Sequence, residues 1–351
     1  MKIQNSKFKI LISPLNWGIG HATRCIPIIN ALIKQGFTPI IASDGDSLTL
    51  LQKEFPKLTS YKLPSYDIKY SKYGFLLKFK ILFRIFKINN VIKKEHQEIE
   101  KIITSENIKG IISDNRFGVY NKNIPSVYIT HQVNILTGIT TKFSSKIHQK
   151  IIANFNTCWV PDNKGNANFT GDLSKNNKPD FYKYIGILSR LKKEIKPKKY
   201  DYLILLSGPE PQRTILEHKL ILAFNNTTKK ILFVRGLVSE KNKLTNTKNY
   251  TFINFLNTSE LQNVINESNV IIARSGYSTI MDLAILGKKA FFIPTPGQGE
   301  QEYLAKRLDN LNIAPFSEQR KFTVSMLKKL ENYTGFNSNI TLLDNFPFSI
   351  F

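Results

Sequence analysis

Short apolar runs alternate with amphipathic stretches along most of the chain. Runs of this length, with few polar interruptions, predict strands that are buried on both faces of a parallel sheet. Ile26, Ile29 and Leu32 recur at helical spacing between two of the runs and predict a covering helix. The pattern therefore predicts an α/β protein. The runs are residues 8–13, 40–42, 108–113, 126–130, 158–160, 202–206, 231–234, 251–253, 270–273 and 290–293.

The strand–helix alternation occurs twice, with a basic, apolar-poor stretch between the two series. The chain is long enough for about two domains, since single domains usually hold 100 to 200 residues. We therefore predict a first domain, a linker, a second domain and a C-terminal tail. These span residues 1–190, 191–200, 201–335 and 336–351.

Composition and cysteine content restrict the class and the compartment. The 351 residues are 42% hydrophobic and 22% charged, which is typical of a soluble globular protein. Cys25 and Cys158 are the two cysteines, too few for a disulfide framework, so we expect reduced thiols in the cytoplasm. The N-terminal apolar run is too short for a signal peptide. No stretch approaches the roughly 18 apolar residues of a spanning helix.

The formal net charge of +24 would attract nucleic acid, anionic lipid or acidic substrates. The lysines are spread along the whole chain and no nucleic-acid-binding motif is present, so we expect no nucleic-acid partner. Residues 74–88 are the exception, because Lys80, Arg84 and Lys87 share one face of an otherwise apolar helix. Two interpretations stay open for this segment: a helix at an anionic membrane surface, or a buried helix with one basic edge.

Polar residues follow the first-half strands at the end where α/β sheets bind ligands. A turn with Gly18 and Gly20 leads from the first strand to His21, which could face a cleft or cap the helix. The pattern lacks the third glycine of a dinucleotide fingerprint. Asp114 ends another strand, and His131, Gln132 and Asn134 follow the next one. After residues 40–42, the Asp44-Gly45-Asp46 turn is more consistent with helix capping than with a metal–diphosphate site.

The second half carries a compact constellation after residues 270–273. Ser275 and Gly276 stand where a strand passes into a helix, a position that favours an anion. Asp282 follows about two helical turns later, and a Pro-Gly loop leads to Glu300, Gln301 and Glu302. A glycine turn for phosphate, an acid for sugar hydroxyls and a polar cluster predict a nucleotide-sugar site.

This constellation, from Arg274 through Asp282 to Glu302, resembles the donor-binding signature of the two-domain GT-B glycosyltransferases. Among them it is most similar to the MurG family of peptidoglycan N-acetylglucosaminyltransferases and to the UDP-glucuronosyltransferases. The resemblance implies two facing Rossmann-like domains with an interdomain cleft. It also implies that Asp282 replaces a ribose-binding Glu and that Arg213 and Arg274 contact the diphosphate. The implied donor-binding residues are Ser207, Gly208, Arg213, Arg235, Phe255, Leu256, Arg274, Ser275, Gly276, Asp282, Glu300, Gln301 and Glu302.

In these families a glycine-rich turn ending in His occupies the place of His21, and that His acts, or is proposed to act, as the base on the acceptor. Asp114 is then its orienting partner. Residues 131–134 match a His-Glu-Gln-Asn stretch that lacks its Glu here. The implied acceptor-binding residues are Gly18, Gly20, His131, Gln132 and Asn134.

The resemblance implies an inverting hexosyltransferase that moves a sugar from a UDP-sugar to a hydroxyl acceptor, with lipid-linked acceptors among the candidates. It implies no cofactor and no metal. We expect a cytoplasmic protein, with peripheral attachment to the inner face of the membrane if residues 74–88 bind lipid. A non-hydrolysing UDP-sugar epimerase of the same fold and a non-catalytic nucleotide-sugar-binding protein remain alternatives.

Overall fold

The computed structural model describes residues 8–66, 85–136, 141–165, 168–208, 210–237, 245–246, 250–336 and 346–351. These residues form two compact units. The first contains the described residues up to 188 together with 346–351, and the second contains the described residues from 189 to 336.

The first unit is a parallel seven-stranded sheet with the strand order β3-β2-β1-β4-β5-β6-β7. Its strands are β1 (Lys9–Pro14), β2 (Thr38–Ser43), β3 (Ser60–Lys62), β4 (Ile108–Asp114), β5 (Ser126–Ile129), β6 (Thr157–Val160) and β7 (Tyr182–Tyr184). Its helices are α1 (Gly20–Lys34), α2 (Gly45–Glu54), α3 (Ile85–Glu106) and α4 (Thr141–Ile152).

The apolar runs form the core, as their lack of alternation predicts. Ile10, Leu11 and Ile12 in β1 are all inaccessible to solvent, as are Ile111 and Ile112 in β4. Consecutive buried residues require cover on both faces of the sheet. Each such side chain stabilises the fold by about 1.5–3 kcal/mol.

The second unit is a six-stranded sheet with the order β10-β11-β9-β8-β12-β13, parallel except for the edge strand β10. Its strands are β8 (Tyr200–Leu205), β9 (Ile231–Val234), β10 (Thr245–Asn246), β11 (Tyr250–Ile253), β12 (Ser268–Ala273) and β13 (Lys289–Phe292). Its helices are α5 (Gln212–Ala223), α6 (Thr258–Asn266), α7 (Tyr277–Leu286), α8 (Gly299–Asn310) and a 3₁₀ helix (Val324–Asn332).

Both sheets contain a topological switch point. In the first, β1 lies between β2 and β4, and in the second β8 lies between β9 and β12. In each sheet, the connections that follow the two adjacent central strands run toward opposite edges of the sheet. This opens a crevice beyond the carboxyl ends of those two strands. The carboxyl ends of β1 and β4 form the first crevice, and the carboxyl ends of β8 and β12 form the second crevice.

The segments near the unit boundaries have their own contacts. In the stretch predicted as a linker, the Lys192 N–H donates to Gln262 Oε1 at 2.8 Å and Lys198 Nζ to Asn266 O at 2.6 Å, so the stretch lies on the second unit. The end of the predicted tail lies on the first unit, where the Phe348 ring is 5.9 Å from Phe37. Most of residues 74–88 lies outside the described residues. None of the described helices has the length and apolar character to cross a membrane.

Candidate functional site

The first crevice contains a cluster of ionisable groups. His21 lies in the first turn of α1, after a turn in which Gly18 takes a φ of +85°. Asp114 is the last residue of β4, and its carboxylate is fully buried. His21 Nδ1 lies 2.8 Å from Asp114 Oδ1, so the structure brings together the two residues that the sequence predicted as partners.

Arg24, which sequence reasoning missed, connects the members of this cluster. It lies three residues after His21 on α1, a spacing that places both on one helix face. Its guanidinium donates to both carboxylate oxygens of Asp114. Its Nη1 also lies 2.7 Å from His131 Nδ1. Four side chains from α1, β4 and the end of β5 therefore form one network.

Charge balance keeps Asp114 ionised. Burial alone would raise the pKa of Asp114, but the charge of Arg24 together with the contact to His21 outweighs burial and lowers that pKa to about 2. His21 Nδ1 lies 2.8 Å from an acceptor, Asp114 Oδ1, and 3.0 Å from a donor, Arg24 Nη2. The tautomer with the proton on Nδ1 is the one that donates to the carboxylate. The Nε2 lone pair of His21 is then available to accept a proton.

In the second imidazole, that of His131, Nδ1 accepts a hydrogen bond and does not carry the proton. A guanidinium has no acceptor, so His131 Nδ1 accepts from Arg24 and the His131 proton lies on Nε2. Among the other predicted acceptor residues, the Gln132 N–H donates to Thr130 Oγ1. The Asn134 amide donates to Asp172 O and Lys175 O at 2.8 Å each, so Asn134 anchors the loop at 171–175.

Asp44 contributes to a separate ion-pair cluster. It stands at the N-cap position of α2, but its carboxylate makes no capping bond to the helix, in contrast to the expected cap. Instead Arg116 Nη1 donates to Asp44 Oδ1 at 2.6 Å, while Arg116 Nε donates to the buried Glu95 at 2.5 Å. The buried cation is the stronger partner for Asp44, because an unpaired Arg116 would cost several kcal/mol.

The second crevice is lined by two glycine turns. Gly208 follows β8 with a φ of +94°, which favours glycine, and Gly276 is the N-cap residue of α7 after β12. The loop after β13 lies over both turns. A Cβ added at Gly208 would lie 3.9 Å from Thr295 Oγ1, and one added at Gly276 would lie 4.0 Å from Gln301 Nε2.

Gln301 is oriented by the loop that it contacts. Its Oε1 accepts from the Thr295 N–H at 2.8 Å, which fixes the amide so that Nε2 is the atom nearest Gly276. Ser275 Oγ donates to Gln301 O at 2.7 Å and ties the α7 turn to α8. Glu302 accepts from the Gly297 N–H at 2.8 Å. Glu300 is half-buried at the start of α8.

The arginines predicted at the diphosphate have internal partners instead. Arg274 is fully buried and donates to Ile293 O, Pro294 O and Gln212 O, so it ties three crevice loops together. Burial lowers the pKa of Arg274 to about 9.

Arg213 and Arg235 share one acid on α5. Arg213 donates to Glu210 and Glu217 at 2.7 Å each. Arg235 donates to the same Glu217 at 2.6 Å and to Asn254 at 3.3 Å. The structure therefore assigns both guanidiniums to ion pairs within the unit.

Asp282, the predicted ribose ligand, lies in α7. Ser189 Oγ donates to Asp282 Oδ1 at 2.6 Å, and burial raises the pKa of the carboxyl group to about 6. Phe255 is half-buried and Leu256 is buried, just after β11. The strand order places them two strands away from β8, on the opposite side from Asp282.

Three comparisons connect this architecture with known proteins. Residues 212–335 match the model of the glycosyltransferase family 28 C-terminal domain. Two relatives are both described as UDP-N-acetylglucosamine–N-acetylmuramyl-(pentapeptide) pyrophosphoryl-undecaprenol N-acetylglucosamine transferases. The protein from Buchnera aphidicola is 29% identical over 58% of this chain and 56% of its own length. The protein from Clostridium tetani is 24% identical over 90% of this chain and 86% of its own length.

Solved structures show the fold. Acinetobacter baumannii MurG matches with a TM-score of 0.56 and 14% identity, covering 93% of this chain and 92% of that one. The spinosyn rhamnosyltransferase SpnG matches with a TM-score of 0.63 and 12% identity, covering 92% of both chains. The α/β GT-B fold predicted from the sequence is thus confirmed. This chain has the GT-B fold, matches the family 28 C-terminal domain at residues 212–335, and resembles the MurG-like glycosyltransferases over most of its length.

Proposed function

We propose that the protein is an inverting glycosyltransferase that moves a sugar from a UDP-sugar to the hydroxyl of a lipid-linked acceptor. The observation that carries this proposal is the His21–Asp114 pair at the first crevice, held by Arg24. The activity named for the relatives, transfer of N-acetylglucosamine from a UDP donor to an undecaprenol-linked acceptor, supports the substrate classes.

His21 acts as the general base. Its Nε2 takes the proton of the acceptor hydroxyl as the hydroxyl oxygen attacks the anomeric carbon and the bond to UDP breaks. The ionised Asp114 stabilises the imidazolium that forms. A positioned base of this kind contributes about 10²–10⁴-fold in rate.

The second unit binds the donor. The Gly208 turn and the N-terminus of α7 at Gly276 offer backbone amides to the diphosphate, where a helix N-terminus favours negative charge. Such groups stabilise the charge that develops on the leaving UDP. With these donors we propose a metal-independent reaction, for which unchanged turnover after treatment with EDTA is the test.

Association with the membrane is proposed on a surface of α4. Phe143 and Ile147 are 64% and 42% exposed, and Lys142, Lys146 and Lys150 are exposed beside them. The helix contains no acidic residue. An apolar stripe edged by lysines suits the interface of an anionic bilayer, where each lysine contributes about 1 kcal/mol. The membrane role of residues 74–88 stays a prediction.

Flotation with anionic liposomes tests this surface. We expect the wild type to float, and Lys142, Lys146 and Lys150 exchanged together for Glu to stay at the bottom of the gradient. Lys306, Lys328 and Lys329 on the second unit, exchanged for Glu, make the same charge change and serve as the control. A wild type that does not float contradicts membrane association.

Product analysis tests the reaction. The purified protein is incubated with UDP-N-acetylglucosamine, with and without a polyprenyl-diphosphate-linked muramyl acceptor. We expect release of UDP and a glycosylated acceptor with inverted anomeric configuration, only when the acceptor is present. Conversion of the donor alone into an epimer would overturn the proposal in favour of an epimerase.

A further inference from the structure

Thr295 carries a buried hydroxyl that has no hydrogen-bond partner in the described part of the chain. The residue follows β13 and is 2% exposed. Its Oγ1 makes no hydrogen bond to any residue that the structure describes. Burying a hydroxyl without a partner costs about 1–3 kcal/mol, so such a group in a folded protein calls for an explanation.

The backbone on both sides of this hydroxyl is fixed. The Thr295 N–H donates to Gln301 Oε1 at 2.8 Å, and the Thr295 carbonyl accepts from the Gln298 N–H at 3.0 Å. The residue therefore cannot rotate as a whole toward another partner without breaking the loop that carries Gln301.

The space beside the hydroxyl is made by a glycine. Gly208 has a φ of +94°, and Thr295 Oγ1 is the one described atom within 4 Å of the position that a Cβ there would take. A side chain at this position would fill the gap between the turn and the hydroxyl. Glycine lets a ligand approach the turn backbone closely, on the side where Thr295 Oγ1 lies.

The cations predicted for this place do not supply the contact. Arg274 Nη1 and Nη2 donate to three carbonyl oxygens and its Nε is buried, while Arg213 is held by Glu210 and Glu217. Neutral donors at the crevice are then the groups that can face an anion. A hydroxyl can donate its proton to an anionic oxygen, and charge-assisted hydrogen bonds of this kind are among the stronger ones.

We infer that Thr295 Oγ1 donates a hydrogen bond to a diphosphate oxygen of the nucleotide bound at the Gly208 turn. This inference rests on the proposed nucleotide-sugar function and adds to it a residue that the family resemblance does not assign. The unpartnered hydroxyl is then preorganised for the ligand, and its cost in the free protein is removed on binding.

A single substitution should make the free protein more stable and at the same time weaken its binding of UDP. Thr295→Val keeps the shape of the side chain and removes the hydroxyl. The free protein should become more stable, with a melting temperature higher by on the order of 2 °C, because an unpaired polar group is lost. Its dissociation constant for UDP should rise about tenfold, which is ~1.4 kcal/mol.

The experiment combines thermal unfolding with titration calorimetry, using UDP and uridine as probes. Thr295→Val should weaken the binding of UDP and leave the binding of uridine, which lacks phosphate, within twofold. Thr295→Ser retains the hydroxyl and should bind UDP as the wild type does. Thr170→Val is the matched control, because the buried Thr170 hydroxyl donates to Asp162 at 2.5 Å. This control should lower the melting temperature without changing the affinity for UDP.

The outcomes separate the inference from the proposed function. A wild type that binds UDP, together with a Thr295→Val variant of equal affinity, overturns the inference alone. Equal losses for UDP and uridine overturn it as well, because the change then distorts the site rather than removing a phosphate contact. A wild type that binds no UDP overturns the proposed donor and the inference with it.

Discussion

The two crevices have the same topology and opposite chemistry. At the first, ionisable side chains point at one another: His21, Arg24, Asp114 and His131 form one network. At the second, the charged groups pair inside the unit, and two glycine turns face Thr295 Oγ1 and Gln301 Nε2. A network around an available imidazole is suited to moving a proton. Glycine turns with neutral donors are suited to holding a diphosphate. The doubly wound sheet fixes where a site lies, and the loops decide what it does.

The largest effect should come from His21→Ala. Loss of the proposed base should lower turnover by at least about a hundredfold and leave the affinity for UDP nearly unchanged, because the proposed donor site lies in the second unit. Steady-state kinetics and calorimetry on one preparation measure both quantities. His96→Ala, which removes a half-buried imidazole stacked on Tyr120, is the control and should retain full turnover. Turnover within a fewfold of wild type for His21→Ala would make His21 a structural residue.

Arg24→Met should lower stability in a pH-dependent way. The pKa of Asp114 is lowered to about 2 in the folded protein, so its ionisation contributes stability that is present above pH ~4 and is lost as the pH falls through 2. Arg24 is the largest of the groups that lower this pKa, so without it most of that contribution, about 2 kcal/mol, disappears at neutral pH.

The melting temperature of Arg24→Met should therefore lie below that of the wild type at pH 7, and the gap should narrow as the pH is lowered. Lys34→Met removes an exposed cation from the same helix and should show no gap. A gap that is constant with pH would mean that Arg24 acts through packing rather than through the charge of Asp114.

Asp282→Asn should have the smallest effect on the reaction and the opposite effect on stability. Burial raises the pKa of Asp282 to about 6, so its protonated form favours folding below pH ~4 and this stability is lost as the pH rises through 6. The Asn variant should melt above the wild type at pH 7.5, and the two should converge below pH 4.

The same variant should weaken UDP binding about tenfold at pH 7.5, ~1.4 kcal/mol, if the proposed hydrogen bond from the ribose to the ionised carboxylate forms. Wild-type affinity for UDP should fall between pH 7.5 and 5 for the same reason. Equal UDP affinity in both proteins at every pH would remove Asp282 from the donor site.

Features that depend on residues close together in the sequence, such as strands and helix starts, could be predicted from the sequence. Apolar runs predicted the central strands, and the Gly-Ile-Gly-His turn predicted where His21 begins a helix. The contact between Arg24 and Asp114 joins residues 90 positions apart, so only the folded sheet shows it.

Burial also changed roles that the motif implied. The sequence shows that Arg274 follows a strand, but not that three carbonyls from two other loops surround its guanidinium. Thr295 carried no signal at all. Its importance depends on the absence of a partner among the described residues, which a sequence does not display.

Hydrogen–deuterium exchange with and without UDP tests the division of labour between the two crevices most directly. We expect UDP to slow exchange in peptides that contain Gly208, Gly276 and Thr295. Peptides that contain Gly18 or His131 should show no change. Protection centred on the turn before His21, with the Gly208 and Gly276 turns unaffected, would contradict the assignment of the donor to the second crevice.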